Sequence, residues 1–332
     1  MRWALALLAL LAVTPLAAQV ADKAKTTAAP AKAKPKPKKP LVRKEPAVPA
    51  KELFGAVKDA APLAARAIGF YARGCIAGAK PLAIDGPSWQ AMRLSRNRNW
   101  GHPQLVRMVE KLATEAKAQD GWNGLLVGDM SQPRGGPMLT GHASHQIGLD
   151  ADIWLTPMPG HRLTTKERED LAATSMLSED KISVDPKVWT PAHAKLIRRA
   201  ASYPDVERVL VHPAIKKALC EQTTGSERAV LHKIRPYWGH HYHMHIRIAC
   251  PKGSDNCEAQ APPPSDDGCG KEIDDWIALL SRPPVPAKPD AKPAKPKPPL
   301  TLAQLPAECR TVLEIGKSKP ATAAKAPATA KQ

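Results

Sequence analysis

The chain has no His-Glu-x-x-His run, no Cys-x-x-Cys pair, no internal repeat and, after its first residues, no apolar stretch long enough to cross a bilayer. Each absence closes a route. Without His-Glu-x-x-His, no helix can offer a metal two imidazoles together with a general-base glutamate. Without Cys-x-x-Cys, a redox or metal role for the six cysteines lacks its usual spacing. Without a later apolar run, no stable membrane insertion is expected. Acidic residues are also few, 31 against 49 Lys and Arg, for a formal net charge of +18. Such an excess suggests a nucleic-acid footprint until it is located along the chain. Residues 19–50 hold nine basic residues against Asp22 and Glu45, and residues 283–332 hold nine against Asp290, Glu308 and Glu314. With Arg2 the flanks carry +14 and the body from Lys51 to Arg282 only +4, so no nucleic-acid partner is expected.

What is present divides the chain into segments. Residues 1–18 place Arg2 before an apolar core from Leu5 to Val13 and small residues at Ala17 and Ala18, the form of a cleaved secretory signal peptide. Residues 19–50 and 283–299 are rich in Lys, Pro and Ala with little to bury, so they read as a disordered linker and a spacer. Their charge suits either adhesion to an anionic polymer or a solvated tether. Residues 300–315 form a short, more apolar C-terminal segment, and residues 316–332 a disordered tail. Residues 51–282 remain as one domain with a real core.

Within that domain, Glu52 to Ala67 has helical tendency, and Gly69 to Cys75 and Leu82 to Asp85 read as short strands. Pro103 opens a helix with Leu105, Met108, Val109 and Leu112 on one stripe. Gly124 to Met130 is a buried strand, Thr164 and Thr190 cap two further helices, and Val206 to Val211 is a strand. The fold class is α+β: a central antiparallel sheet carrying the functional site, with helices packed mainly on one face.

Two stretches carry the chemistry. In GHASHQIGLDAD, residues 141–152, His145 lies seven positions before Asp152, and Leu149, Ala151, Ile153 and Leu155 alternate with Asp150, Asp152 and Trp154. In GHHYHMHIR, residues 239–247, Tyr242, Met244 and Ile246 alternate with His243, His245 and Arg247. Two imidazoles and a carboxylate suit zinc and leave a fourth tetrahedral position for water. The set is His145, Asp152 and His245, with His142 either a further ligand or a neighbour of the ligands. His243, sharing a strand face with His245, is the best general base. His240 can donate a hydrogen bond to an oxyanion, whereas His241 reads as a surface residue. Asp150 either orients a ligand histidine or caps its strand. Arg96, Arg98 and His102 either meet substrate carboxylates or serve loop structure and helix capping. Six cysteines in an exported chain imply disulfides, and of fifteen connectivities only Cys250 with Cys257 is favoured by its short spacing.

At these residues the sequence resembles a known group. His145, Asp152 and the later His243-x-His245 resemble the zinc peptidase fold shared by lysostaphin-type enzymes, D-alanyl-D-alanine peptidases and hedgehog domains. The strings SRNRNWGHP (residues 95–103), GDM (128–130), GHASHQIGLDADI (141–153) and RPYWGHHYHMHIR (235–247) are similar to the penicillin-insensitive murein endopeptidase family, over about residues 69–269. The resemblance implies one Zn2+ per chain, a periplasmic location and peptidoglycan as partner, with cleavage of D-alanyl to meso-diaminopimelyl cross-links. It also implies disulfides Cys220 to Cys269 and Cys75 to Cys309, the second fastening residues 300–315 back onto the domain. Some relatives carry an extra Asp and His for a second metal; here Asp180 is followed at that spacing by Ser183, so a single-metal site is expected. A D-alanyl-D-alanine carboxypeptidase or dipeptidase of the same fold, and a non-catalytic, metal-stabilised wall-binding module, are the rival readings.

Overall fold

The computed structural model describes residues 48–283 and 297–316. The expected signal peptide, nearly all of the linker and spacer, and all but the first residue of the tail lie outside the described residues. The architecture is mixed α/β. In chain order its elements are α1 (Ala50–Gly55), β1 (Arg66–Phe70), β2 (Arg73–Ala77), β3 (Lys80–Pro81), β4 (Trp89–Ala91), β5 (Trp100–Gly101), α2 (Pro103–Gln119), β6 (Leu125–Val127) and β7 (Asp150–Trp154). There follow α3 (Thr165–Asp170), α4 (Pro191–Ser202), β8 (Val206–Val211), α5 (Pro213–Gln222), β9 (Ile234–Pro236), β10 (His243–Ile248), α6 (Lys271–Leu280) and α7 (Glu308–Glu314). Among the described residues no helix is long and apolar enough to cross a membrane.

Six strands form the main sheet in the order β4-β6-β7-β10-β8-β9. The inner four pair antiparallel, while the edge strands β4 and β9 run parallel to β6 and β8. The sheet is therefore mixed rather than antiparallel throughout. Both edge strands are only three residues long and enter from loops, too short to impose a period of their own. One face carries Ala151, Ile153, Val209, Val211, Met244 and Ile246, all buried in one cluster with Leu105, Val109 and Leu112 of α2 and Leu196, Ile197 and Ala200 of α4. Alternation then sends Asp150, Asp152, His243, His245 and Arg247 to the other face.

The helix starts follow their capping residues. Thr164 Oγ1 accepts from the Glu167 amide while the Glu167 carboxylate returns to the Thr164 amide, a capping box. Pro103, Pro191 and Pro213 each stand at the first helical position, where the missing N–H costs nothing. His102 Nδ1 accepts from the Gln104 amide and so caps α2, one of the two roles open to it. Three sequence expectations change. The helical tendency over residues 52–67 yields only α1, which ends at Gly55; the strand expected over residues 69–75 is broken by a turn at Tyr71 and Ala72 into the antiparallel pair β1 and β2; and residues 82–85 belong to no strand.

A second, smaller core joins both ends of the described chain. Ala50 and Phe54 of α1, Ile68 and Cys75 of the β1–β2 hairpin, and Leu305, Cys309, Val312 and Leu313 bury one another. The disulfide from Cys75 to Cys309 crosses this core, and the others join Cys220 to Cys269 and Cys250 to Cys257. Arg134 ties the same segment from inside, donating to the carbonyls of Val312, Leu313 and Ile315.

Candidate metal centre

The site lies on the face of β7 and β10 opposite α2 and α4. In the register of this antiparallel pair His243 stands opposite Trp154, His245 opposite Asp152 and Arg247 opposite Asp150. The loop before β7 supplies the remaining imidazoles. It enters through His145, which holds φ at 66° although it is not glycine, and Gly148, whose φ of 71° and close approach to Ile76 leave no room for a Cβ. A left-handed histidine costs roughly 1–2 kcal/mol, and strain of this kind persists where surrounding contacts over-determine it. Here the His145 amide donates to Asp150 Oδ2 at 3.1 Å, so the strand fixes the loop.

These elements bring four of the expected residues together. Ligating atoms of His142, His145 and Asp152 all lie within 4.8 Å of one another. His145 Nε2 is 3.4 Å from Asp152 Oδ1, His142 Nε2 is 3.5 Å from Asp152 Oδ2, and His245 Nδ1 is 3.0 Å from Asp152 Oδ1. His243 comes near without joining, its Nε2 3.7 Å from Asp152 Oδ1. His240 lies beside it, 4.9 Å between ring centroids and tilted by 49°. His241 faces away from the cluster, toward the Ser175 hydroxyl.

The donor chemistry tests whether a metal fits. His145 is 0 % exposed, its Nδ1 has no partner, and its Nε2 lies 3.4 Å from Asp152 Oδ1 without the alignment of a hydrogen bond. Burying an unpaired imidazole is costly, and a cation at the cluster would remove that cost. His245 is different, held at Nε2 by Asp150 Oδ1 at 2.9 Å and at Nδ1 by Asp152. Burial alone would push its pKa down, but Asp150 and Asp152 outweigh burial and raise it. His245 is thus held between two carboxylates, with Nδ1 turned to Asp152 in the cluster. Asp152 is held well below the usual carboxylate range: burial opposes this, and the neighbouring imidazoles of His145 and His243 overcome it. The residues present fit a divalent metal with nitrogen and oxygen ligands.

A carboxylate without an assigned role in the sequence supports the rim. Asp129, just beyond β6, accepts from Arg98 at 2.8 Å, Arg96 at 3.0 Å and His142 Nε2 at 3.1 Å. Burial pushes its carboxyl up, but the His142 hydrogen bond and the two guanidinium groups bring it down to about 2. Arg98 is buried and also donates to the Thr140 carbonyl, so it braces the loop that carries His142. In the sequence Asp129 is a single acid at the end of a buried strand, inside the GDM string at residues 128–130, with no role attached to it. Asp150 accepts from the His145 amide, His245 Nε2 and Arg247 Nε. It is the orienting partner for His245 that metal-binding imidazoles usually have.

Two cavities meet at His142. One of about 310 Å³ runs past Arg93, Arg96, Trp154, Tyr242 and His243; the other, about 490 Å³, runs past His240, His245, Tyr237, Arg208 and the prolines 262–264. Asp180 and Ser183 hydrogen-bond each other at 2.6 Å on an exposed turn.

The sequence profile of the penicillin-insensitive murein endopeptidase family matches residues 67–314. A protein of that name from Haemophilus influenzae is 45 % identical over 232 residues, 69 % of this chain and 77 % of its own length. One from Klebsiella pneumoniae is 41 % identical over 250 residues, covering 75 % and 86 %, and one from Yersinia pestis is 40 % identical over 249 residues, covering 75 % and 86 %.

Proposed function

The chain belongs to the penicillin-insensitive murein endopeptidase family, and from that membership we infer that it is a metal-dependent murein endopeptidase acting on peptidoglycan outside the cytoplasm. The ion is zinc, one per chain, and the bond is the D-alanyl to meso-diaminopimelyl cross-link, cut in the periplasm after removal of residues 1–18. The observation that carries the metal reading is His145, wholly buried with no hydrogen bond at either ring nitrogen, beside His142, Asp152 and His245. These four residues would hold the ion on the central sheet. Zinc supplies there an acidified water and a polarised substrate carbonyl.

The chain's own residues supply the rest. Asp150 receives the His245 Nε2 proton and so keeps Nδ1 turned to the cluster. Burial brings His243 down to about 4, so it is unprotonated at neutral pH and can take a proton at Nε2, the nitrogen facing Asp152. His240 argues against its expected role. Its Nδ1 donates to the Trp238 carbonyl at 2.6 Å and burial brings it down to about 3, so its Nε2 carries a lone pair. In this neutral form His240 offers its Nε2 lone pair to the cleft as a hydrogen-bond acceptor, and it would donate to an oxyanion only after taking up a proton. A cleft extending on both sides of His142 gives room to peptide on each side of the cut bond, which favours an endopeptidase over a carboxypeptidase.

A purified cross-linked muropeptide dimer tests the reading. The protein should convert it into two monomers, with turnover stopped by a chelator and restored by zinc. Release of terminal D-alanine from an intact dimer would instead make it a carboxypeptidase, and an inert, metal-loaded protein would make it a binding module.

A further inference from the structure

Three arginines line the cavity beside His240 and His245, and two of them are already neutralised. Arg247 donates Nε to Asp150 at 2.6 Å and a terminal nitrogen to Gln260 at 2.5 Å. Arg235 pairs with Glu272. Arg208 differs from both. It stands on β8 directly opposite Arg247 of β10, which stands opposite Asp150 of β7. One face of three adjacent strands therefore carries an anion followed by two cations. Like charges directly opposite in an antiparallel pair repel, and a desolvated charge without a partner is costly.

The surroundings of Arg208 do not offset this. It is 9 % exposed, its Nε is buried without a hydrogen-bond partner, and a terminal nitrogen donates to the Ala261 carbonyl. Unlike Arg235 and Arg247, it forms no ion pair with any described residue. Burial pushes its guanidinium below its ordinary pKa, and Glu207 offsets this only in part. A guanidinium presents a fork that matches the two oxygens of a carboxylate.

We propose that Arg208 binds the free carboxylate on the amine side of the peptide bond that is cut. This rests on the murein endopeptidase reading and on the diaminopimelyl cross-link. On the acyl side, D-alanine has spent its carboxyl on the amide. On the amine side, diaminopimelate is a diamino dicarboxylic acid, so the carbon bearing the cross-linking nitrogen also bears a carboxylate. A carboxylate adjoining the bond comes from that side alone. The cavity that Arg208 lines also holds His142, His240 and His245, so bond and carboxylate share one space. Arg208 would thus set which side of the cleft receives the departing amine.

The test compares soluble cross-linked dimers in which this carboxylate is free or amidated, using wild-type protein, Arg208→Gln and Arg208→Lys. Wild type should cleave the amidated dimer with kcat/KM about 10- to 100-fold lower, the loss expected for a hydrogen bond to a charged group. Arg208→Gln should lose the same factor on the free acid, mainly in KM, with no further loss on the amide, and Arg208→Lys should recover part of it. Equal cleavage of both dimers by wild type would overturn the proposal whether or not the variants fold. An equal loss by Arg208→Gln on both substrates would also overturn it. Cleavage of neither dimer by wild type would instead refute the endopeptidase reading on which the proposal stands.

Discussion

Replacing Asp150 by Asn removes one charge from the most constrained point of the site. Asp150 is fully buried and accepts three hydrogen bonds, from His145 N at 3.1 Å, His245 Nε2 at 2.9 Å and Arg247 Nε at 2.6 Å. Its carboxyl is held below the usual range, because Arg247 and His245 outweigh the opposing effect of burial. An Asn amide has one oxygen and one NH2, so whichever way it is placed a donor meets a donor. If the NH2 faces His145, the strained loop loses its anchor. If it faces Arg247, it also drives His245 to the tautomer with the proton on Nδ1, the nitrogen needed by a metal. Breaking one partner of a buried pair costs about 3–5 kcal/mol. The lower end applies here because Arg247 keeps Gln260 and its stacking over Tyr71, 3.6 Å from the ring centroid. About 3 kcal/mol corresponds to roughly 6–12 °C in Tm for a domain of this size. Loss of an orienting partner should also weaken zinc binding about 10- to 100-fold. Urea unfolding of the metal-free protein and chelator competition for zinc measure the two effects separately. The double variant Asp150→Asn, Arg247→Met should regain much of the stability but none of the zinc affinity. A single variant with unchanged metal-free stability and zinc affinity within threefold of wild type would refute the reasoning.

Three further outcomes follow from the same geometry. His243→Ala should abolish turnover while zinc content stays near that of wild type; turnover within tenfold of wild type would remove His243 as the base. Zinc binding at pH 6 should release about one proton, because Asp150 and Asp152 raise the pKa of His245 and the ion displaces its Nδ1 proton; calorimetry in buffers of different ionisation enthalpy that finds none would contradict this. Burial brings His212 down from an ordinary 6.5 to about 4, so as pH falls through that window the unfolded chain takes up a proton that the folded chain refuses. Stability should fall across it by up to about 3 kcal/mol from this residue alone, and His212→Asn, which keeps an acceptor for the Ala214 amide, should shallow the slope measured by urea midpoints at pH 7 and 4.5.

The strands that carry the site were legible in the sequence because one face of each is buried in the helical layer. Period-two alternation placed Asp150, Asp152, His243, His245 and Arg247 on a shared face before any pairing was known, and the register of β7 with β10 has them there. Cys250 and Cys257 were legible for a plainer reason, seven residues of separation. What escaped depends on contacts remote in sequence. No local pattern marks Asp129 as the acceptor for Arg96, Arg98 and His142, since those partners are 13 to 33 residues away. The left-handed backbone of His145, whose amide bonds to Asp150, has no marker in the local sequence. The tautomer of His240 depends on the Trp238 carbonyl, which spacing alone does not orient. Arg208 reads in the sequence as an ordinary strand residue; its missing anion is visible only beside Arg247 and Asp150.

The central claim is that a single zinc ion sits among His142, His145, Asp152 and His245 and that the hydrolysis takes place there. Anomalous diffraction at the zinc edge, from crystals of the zinc-loaded protein, tests it most directly. One strong peak at about 2.0–2.2 Å from nitrogen of His145 and His245 and oxygen of Asp152 is the predicted result. An empty cluster in crystals whose protein cleaves the dimer, or a peak held by other residues, would contradict the account.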